Sequence, residues 1–285
     1  MAFKLIRETM KFRILITNDD GVNSSGLLAA YEAVKDLGDA TVVAPATQQS
    51  AVGRSMTLFE PLRLSRLKVN GTTVYSVSGT PTDAVIIGMF VAMKKKPDLV
   101  ISGFNIGENL STEAATTSGT IGAALEAAGQ GVPAIAVSIR VDDEGDKFAD
   151  TNYKRDYGVA MGVVRKLAKC VLDGKLPKGV DVLNVNIPSN ASPDTGIVVT
   201  RLARKMYHTR VHRRRDPRGR PYYWIDGTLV EDADEGTDLH AVMKKNQISV
   251  TPLTMDMTAS FDHERLEEII AKAFLGEHQV SRRPL

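Results

Sequence analysis

Six short apolar, β-branched runs, the first of them ending in polar residues, are interleaved with helix-length segments between residues 12 and 188, and few folds accommodate that order. The runs at 12–17, 40–45, 73–77, 98–103, 134–138 and 182–188 read as buried strands. Segments 26–37, 82–94, 118–128 and 157–172 read as helices. The first of these sets Leu27, Leu28, Ala30, Tyr31, Val34 and Leu37 at helical spacing and stops at Gly38, and the third is built of small residues. Strand–helix–strand order with short connections requires parallel strands and crossover helices. The expected fold class is therefore α/β, a doubly wound, three-layer, Rossmann-like sheet.

The pattern changes after Pro193. Residues 201–220 hold nine Arg or Lys and one acid, whereas 226–238 hold six acids and no Lys or Arg. Between the two blocks, residues 220–225 read as a strand entering a turn at Asp226-Gly227. The expected organisation is one α/β domain over 11–285, with a β-rich arm at about 197–255 and a helix near 263–275. Residues 1–10 read as an N-terminal extension, because Lys4, Arg7 and Glu8 interrupt any secretory apolar stretch. With 36 Lys plus Arg against 34 Asp plus Glu, the net charge of +2 argues against a dedicated DNA-binding module. Cys170 is the single cysteine, so no disulfide framework and no Cys-based zinc site can form within the chain. No apolar run reaches the roughly 20 residues needed to span a bilayer. A cytoplasmic protein, not membrane-bound, is expected.

Ligands of open α/β sheets bind beyond the carboxyl ends of the strands. Three polar clusters fall there: Asn18-Asp19-Asp20-Gly21, residues 46–53 with Ser50, and Gly103-Phe104-Asn105-Ile106-Gly107. Adjacent carboxylates repel one another unless a cation or protons intervene, so Asp19 and Asp20 suggest a metal. Ser50 and Asn105 can add neutral oxygens, and an all-oxygen set suits Mg²⁺ or Mn²⁺ rather than zinc. Asn-Asp-Asp-Gly is also a common turn composition, and that alternative stays open. Thr116-Thr117-Ser118-Gly119-Thr120 opens the small-residue helix, where amides and the helix dipole can take an anion. A simple Ser or Thr cap is the plainer alternative. Neither a Walker-type phosphate loop nor a Gly-x-Gly-x-x-Gly follows the first strand, and Ser76-Val77-Ser78-Gly79 lacks the nucleophile-elbow frame.

Taken together, these blocks resemble the SurE (survival protein E) family of metal-dependent nucleotidases. The resemblance runs from Lys11 to about Ser260. It is carried by Ile16-Thr17-Asn18-Asp19-Asp20-Gly21, Val43-Ala44-Pro45 with Ser50, Ser78-Gly79-Thr80-Pro81-Thr82-Asp83, and the stretch Ser102-Gly103-Phe104-Asn105-Ile106-Gly107-Glu108-Asn109-Leu110. Further blocks are Ser118-Gly119-Thr120, Asp216-Pro217-Arg218-Gly219-Arg220-Pro221-Tyr222-Tyr223-Trp224, Gly236-Thr237-Asp238 and Ser249-Val250-Thr251-Pro252-Leu253. The resemblance implies one divalent ion, Mg²⁺ or Mn²⁺, on Asp19, Asp20, Ser50 and Asn105. It implies hydrolysis of nucleoside 5′- and 3′-monophosphates and, in some members, of polyphosphate. It also implies dimers or tetramers formed through exchanged C-terminal arms.

In that scheme Asp19, Asp20 and Asn105 carry the chemistry, while Asn18, Asn109, Ser118, Gly119 and Thr120 hold the substrate. The chain departs from the family pattern at Ala51, Phe104 and Thr117, where Gly, Ile and Tyr are usual. For the basic stretch, pairing with the acidic block within or between subunits is favoured over nucleic-acid binding. The competing function is an RNA- or nucleotide-binding protein that uses residues 201–220 without hydrolysis.

Overall fold

The computed structural model describes residues 11–142 and 155–275, so the extension at 1–10 lies outside the described residues. The described residues up to Met255 form one compact unit, and those from Asp256 form a second. The strands are β1 (Phe12–Thr17), β2 (Gly38–Pro45), β3 (Leu64–Val69), β4 (Thr72–Val77), β5 (Leu99–Ile106), β6 (Ala134–Ile139), β7 (Val182–Ile187), β8 (Ile197–Val199), β9 (Tyr207–Arg215), β10 (Pro221–Leu229) and β11 (Ile248–Leu253). The helices are α1 (Ser25–Val34), α2 (Pro81–Ile87), α3 (Ser111–Thr117), α4 (Gly119–Gly129), α5 (Gly158–Leu172), α6 (Asp238–Met243) and α7 (His263–Leu275). A π-helical turn, Gly88–Ala92, extends α2.

One nine-stranded sheet has the order β3-β4-β2-β1-β5-β6-β7-β11-β8. Its six central strands, β4 to β7, are all parallel, and β3 and β11 pair antiparallel at their flanks. Strand order reverses between β1 and β5, and a doubly wound sheet opens its crevice at that switch point. Because strand side chains alternate, each buried strand feeds two cores. Ile14, Ile16, Leu99, Ile101, Ile135 and Val137 pack on one face with α1 and α5. Leu15, Val43, Val100, Ala134 and Ala136 pack on the other with α2 and α4. The three-layer α/β architecture expected from the sequence is the one observed. Cys170 lies exposed on α5, away from the strand ends that carry the polar loops.

Strands β8 and β11 join the main sheet, so among the described strands only the β9–β10 hairpin stands apart from it. The hairpin turns at residues 216–220, where Asp216 Oδ1 accepts from the amides of Arg218 and Arg220 at 2.9 Å each. The turn expected at Asp226-Gly227 is absent, and β10 runs straight through it. Gly227 serves a different need there: a Cβ at this position would come within 2.9 Å of Tyr207 Cβ. Asp226 faces Arg210 across the hairpin, and His212 Nε2 lies 3.4 Å from Asp226 Oδ2. These contacts pair part of the basic block with the acidic one, although exposed pairs of this kind add little stability. In the second unit, α7 starts with Asp262 Oδ1 accepting from the Arg265 amide at 2.9 Å. Among the described residues no helix is long and apolar enough to cross a membrane.

Candidate active site at the sheet switch point

The carboxyl ends of β1 and β5 carry the carboxylates and Asn105 to the same crevice. Asn18 turns the chain after β1: its Nδ2 donates to the Gly21 carbonyl and its Oδ1 accepts from the Gly21 amide, both at 3.2 Å. This buried Asn is fully engaged in the turn and does not line the cavity. Asp19 and Asp20 follow and open into a cavity of about 360 Å³. The bulge between Ser102 and Asn105 interrupts the β5–β6 ladder, and bulges of this type re-aim side chains near sites. Asn105 Nδ2 donates to the Gly107 carbonyl at 2.7 Å, which fixes the amide and keeps Oδ1 available as an oxygen donor. Ser50 arrives on the loop after β2, which the Gln49 amide fastens to the Asp19 carbonyl at 2.7 Å. Asp19, Asp20, Ser50 and Asn105 thus line one cavity together with Asn109 and Ser118.

Helix α4 closes the site from the other side. Ser118 caps it, with Oγ accepting from the Ile121 amide at 3.2 Å. Its positive end therefore points toward the carboxylate corner. Thr120 lies behind the cavity wall and donates from Oγ1 to Asp19 Oδ1 at 2.6 Å. Gly119 also stands behind the wall: a Cβ there would meet Asp19 Cβ at 2.8 Å, so only glycine lets the helix press against the carboxylate. Asp20 Oδ2 accepts from the Ile106 amide at 3.3 Å.

Electrostatics test whether this corner suits a cation. Burial pushes the Asp19 carboxyl above its usual range, against the opposing hydrogen bond from Thr120. Burial, followed by the neighbouring Asp19 charge, raises Asp20 to about 8. Two adjacent carboxylates carry that penalty until a positive charge joins them. Among the described residues no Lys or Arg lines the cavity to supply one. The donors are all oxygens, which fits a hard divalent ion. Among the described residues no three His, Cys, Asp or Glu are placed to hold a metal ion together, so a cation at this corner would need neutral oxygens as well.

Several residues escape a reading of the sequence. Asn186 clamps the Asn109 backbone, accepting from its amide at 2.7 Å and donating to its carbonyl at 3.0 Å. Asn184 donates to the same carbonyl at 3.0 Å, and Asn109 Nδ2 reaches Ser138 Oγ at 2.8 Å. Two Asn residues spaced i, i+2 in an otherwise apolar strand share one face, and that spacing is the signal that could have found them. Glu108, Glu113, Met206 and Tyr207 also line the cavity. Nothing local marks them, because two of them come from the root of the hairpin.

The three departures from the family pattern have distinct surroundings. Phe104 is fully buried in the α1–α5 core, its ring 5.9 Å from that of Tyr157, and does not line the cavity. Thr117 and Ala51 do line it. Ala51 adopts φ 58°, a left-handed conformation that costs a non-glycine residue about 1–2 kcal/mol.

With this geometry in hand, known proteins give a consistent match. A family model described as Survival protein SurE matches residues 14–209. The 5′-nucleotidase SurE of Methanocella arvoryzae is 65% identical over 262 residues, covering 92% of this chain and 98% of that protein. The 5′-nucleotidase SurE of Methanosarcina mazei is 55% identical over 260 residues, covering 90% and 97%. The crystal structure of the SurE protein from Aquifex aeolicus superposes with a TM-score of 0.75 at 37% identity, covering 92% of this chain and 99% of that one. The chain belongs to the SurE family.

Proposed function

We propose that the protein is a divalent-metal-dependent nucleotidase that hydrolyses nucleoside 5′- and 3′-monophosphates to nucleoside and phosphate. The observation that carries this reading is the convergence of Asp19, Asp20, Ser50 and Asn105 beside the amino end of α4. The names of its relatives, 5′-nucleotidase SurE, support the reaction class. Asp19, Asp20, Ser50 and Asn105 would hold one Mg²⁺ or Mn²⁺ per subunit. When bound, that ion supplies charge neutralisation for the phosphoryl oxygens as negative charge grows in the transition state.

The chain's own groups do the rest. Asn109, Ser118 and the amides near Gly119 orient the phosphoryl oxygens at the positive end of the helix. A water attacks phosphorus in line with the leaving ribose oxygen, a carboxylate oxygen of the Asp pair takes its proton, and that proton passes to the ribose oxygen as its bond to phosphorus breaks. Thr120, fastened to Asp19, keeps that carboxylate in position. We further propose assembly as a homodimer or homotetramer through the C-terminal arm, in a cytoplasmic setting. The test is phosphate release from a panel of nucleoside monophosphates. Chelator should abolish it, and Mg²⁺ or Mn²⁺ should restore it. Release that persists in chelator contradicts the reading.

A further inference from the structure

Away from the Asp19–Asp20 corner, the cavity continues along a wall formed by Leu110, Ala114, Met206 and Tyr207. Met206 and Tyr207 stand at the root of the β9–β10 hairpin, and one side chain of α3 draws them in. Glu113 Oε2 accepts from the Met206 amide at 3.1 Å and from the Tyr207 amide at 3.5 Å. The Tyr207 hydroxyl donates to Glu108 Oε1 at 3.5 Å. Glu108 and Glu113 line the cavity as Asp19 and Asp20 do, and among the described residues no Lys or Arg lines it. A cavity of about 360 Å³ has the size of a whole small-molecule site rather than of a lone phosphate pocket.

We propose that this wall is the leaving-group side of the site, and that Glu113 is a specificity-determining residue that turns away substrates with more than one phosphate. The inference rests on the nucleotidase reading above. A nucleoside monophosphate brings its charge only to the metal corner, and the uncharged nucleoside lies against Ala114 and Tyr207, which Leu110 and Met206 back from the buried cluster. An aromatic ring suits a planar base. A nucleoside triphosphate or a polyphosphate must instead lay further negative charge against Glu108 and Glu113, where like charges repel. Glu113 acts twice: its charge opposes a second phosphate, and its two accepted hydrogen bonds hold that wall in place. Polyphosphate, a substrate that the family resemblance implies, is therefore the sharpest comparison.

The experiment measures kcat/KM for AMP, ATP and tripolyphosphate at fixed free Mg²⁺, in the unaltered chain and in Glu113→Gln. Gln keeps an oxygen for the two amides and removes the charge. The expected ratio of AMP over tripolyphosphate in the unaltered chain is about 100 or more, and Glu113→Gln should lower it about tenfold, chiefly through the KM for tripolyphosphate. Raising ionic strength should narrow the same ratio in the unaltered chain, since the discrimination is electrostatic. Should the variant fail to fold, that salt series decides the matter. Tripolyphosphate used as well as AMP overturns the inference, as does a ratio indifferent to salt. If all three compounds release no phosphate with metal present, the nucleotidase reading itself fails. AMP turnover with an indifferent ratio sinks only the role of the wall.

Discussion

Asp19→Asn is expected to lower metal-dependent phosphate release by about 10³-fold or more, because several kcal/mol of transition-state stabilisation depend on the ion that this carboxylate would hold. The exchange is nearly isosteric, and Asn keeps an oxygen for the Thr120 hydroxyl that now donates at 2.6 Å. It also removes one of two carboxylates whose burial side by side pushes both upward in pKa. The metal-free variant should therefore melt no lower than the unaltered chain. Loss of activity without loss of fold separates a chemical role from a structural one. Substantial phosphate release by the folded variant would remove Asp19 from the mechanism.

The second large effect falls on stability. Asp238 is fully buried and accepts three backbone amides, those of Ser111, Ala203 and Leu239, each at 2.8 Å. It ties the start of α3, in the cavity wall, to the root of the hairpin and to α6. Asp238→Ala would strand three buried donors, each costing about 1–3 kcal/mol. Burial raises the Asp238 carboxyl above its usual range, so removing the charge returns part of that cost. A net loss of about 3 kcal/mol is expected, equivalent to a fall of about 6–12 °C in Tm for a chain of this size. Asp238→Asn should recover much of it, because one oxygen still accepts from Ala203 and Leu239. Denaturant unfolding of the three proteins measures the difference. A change under about 1 kcal/mol for Asp238→Ala would show that water or a backbone shift satisfies the amides.

The parallel core was legible because its signal is strong and local. Buried strands such as 14–16 and 99–101 are continuous apolar runs, and their helices end at glycines. Elements held by tertiary contact were not legible. Helix α3 is Thr-rich and poor in helical periodicity, and it is anchored by Asp238 and by the Thr112 amide donating to the Ala203 carbonyl at 2.9 Å. Strand β3 is an exposed edge with little apolar alternation, although the Asn70-Gly71 turn before β4 is a hairpin signal available in the sequence. Asp226-Gly227 misled for the opposite reason: turn chemistry was read where the glycine only makes room for Tyr207.

The site divides in the same way. Asp19, Asp20, Ser50, Asn105, Asn109 and Ser118 sit on strand-end loops and converge on the cavity. Asn18, Gly119 and Thr120 lie in the same motifs but support it from behind. Glu113 and Tyr207 are brought together by folding across 94 residues, a pairing that no local pattern encodes.

The proposed nucleotidase requires that four oxygen donors at the β1–β5 switch point share one divalent ion. Anomalous diffraction from Mn²⁺-loaded crystals tests it most directly. One strong peak is expected among Asp19, Asp20, Ser50 and Asn105, within bonding distance of their oxygens. The peak should be absent in Asp19→Asn. Catalytically active Mn²⁺-loaded protein with no peak at that corner would contradict it.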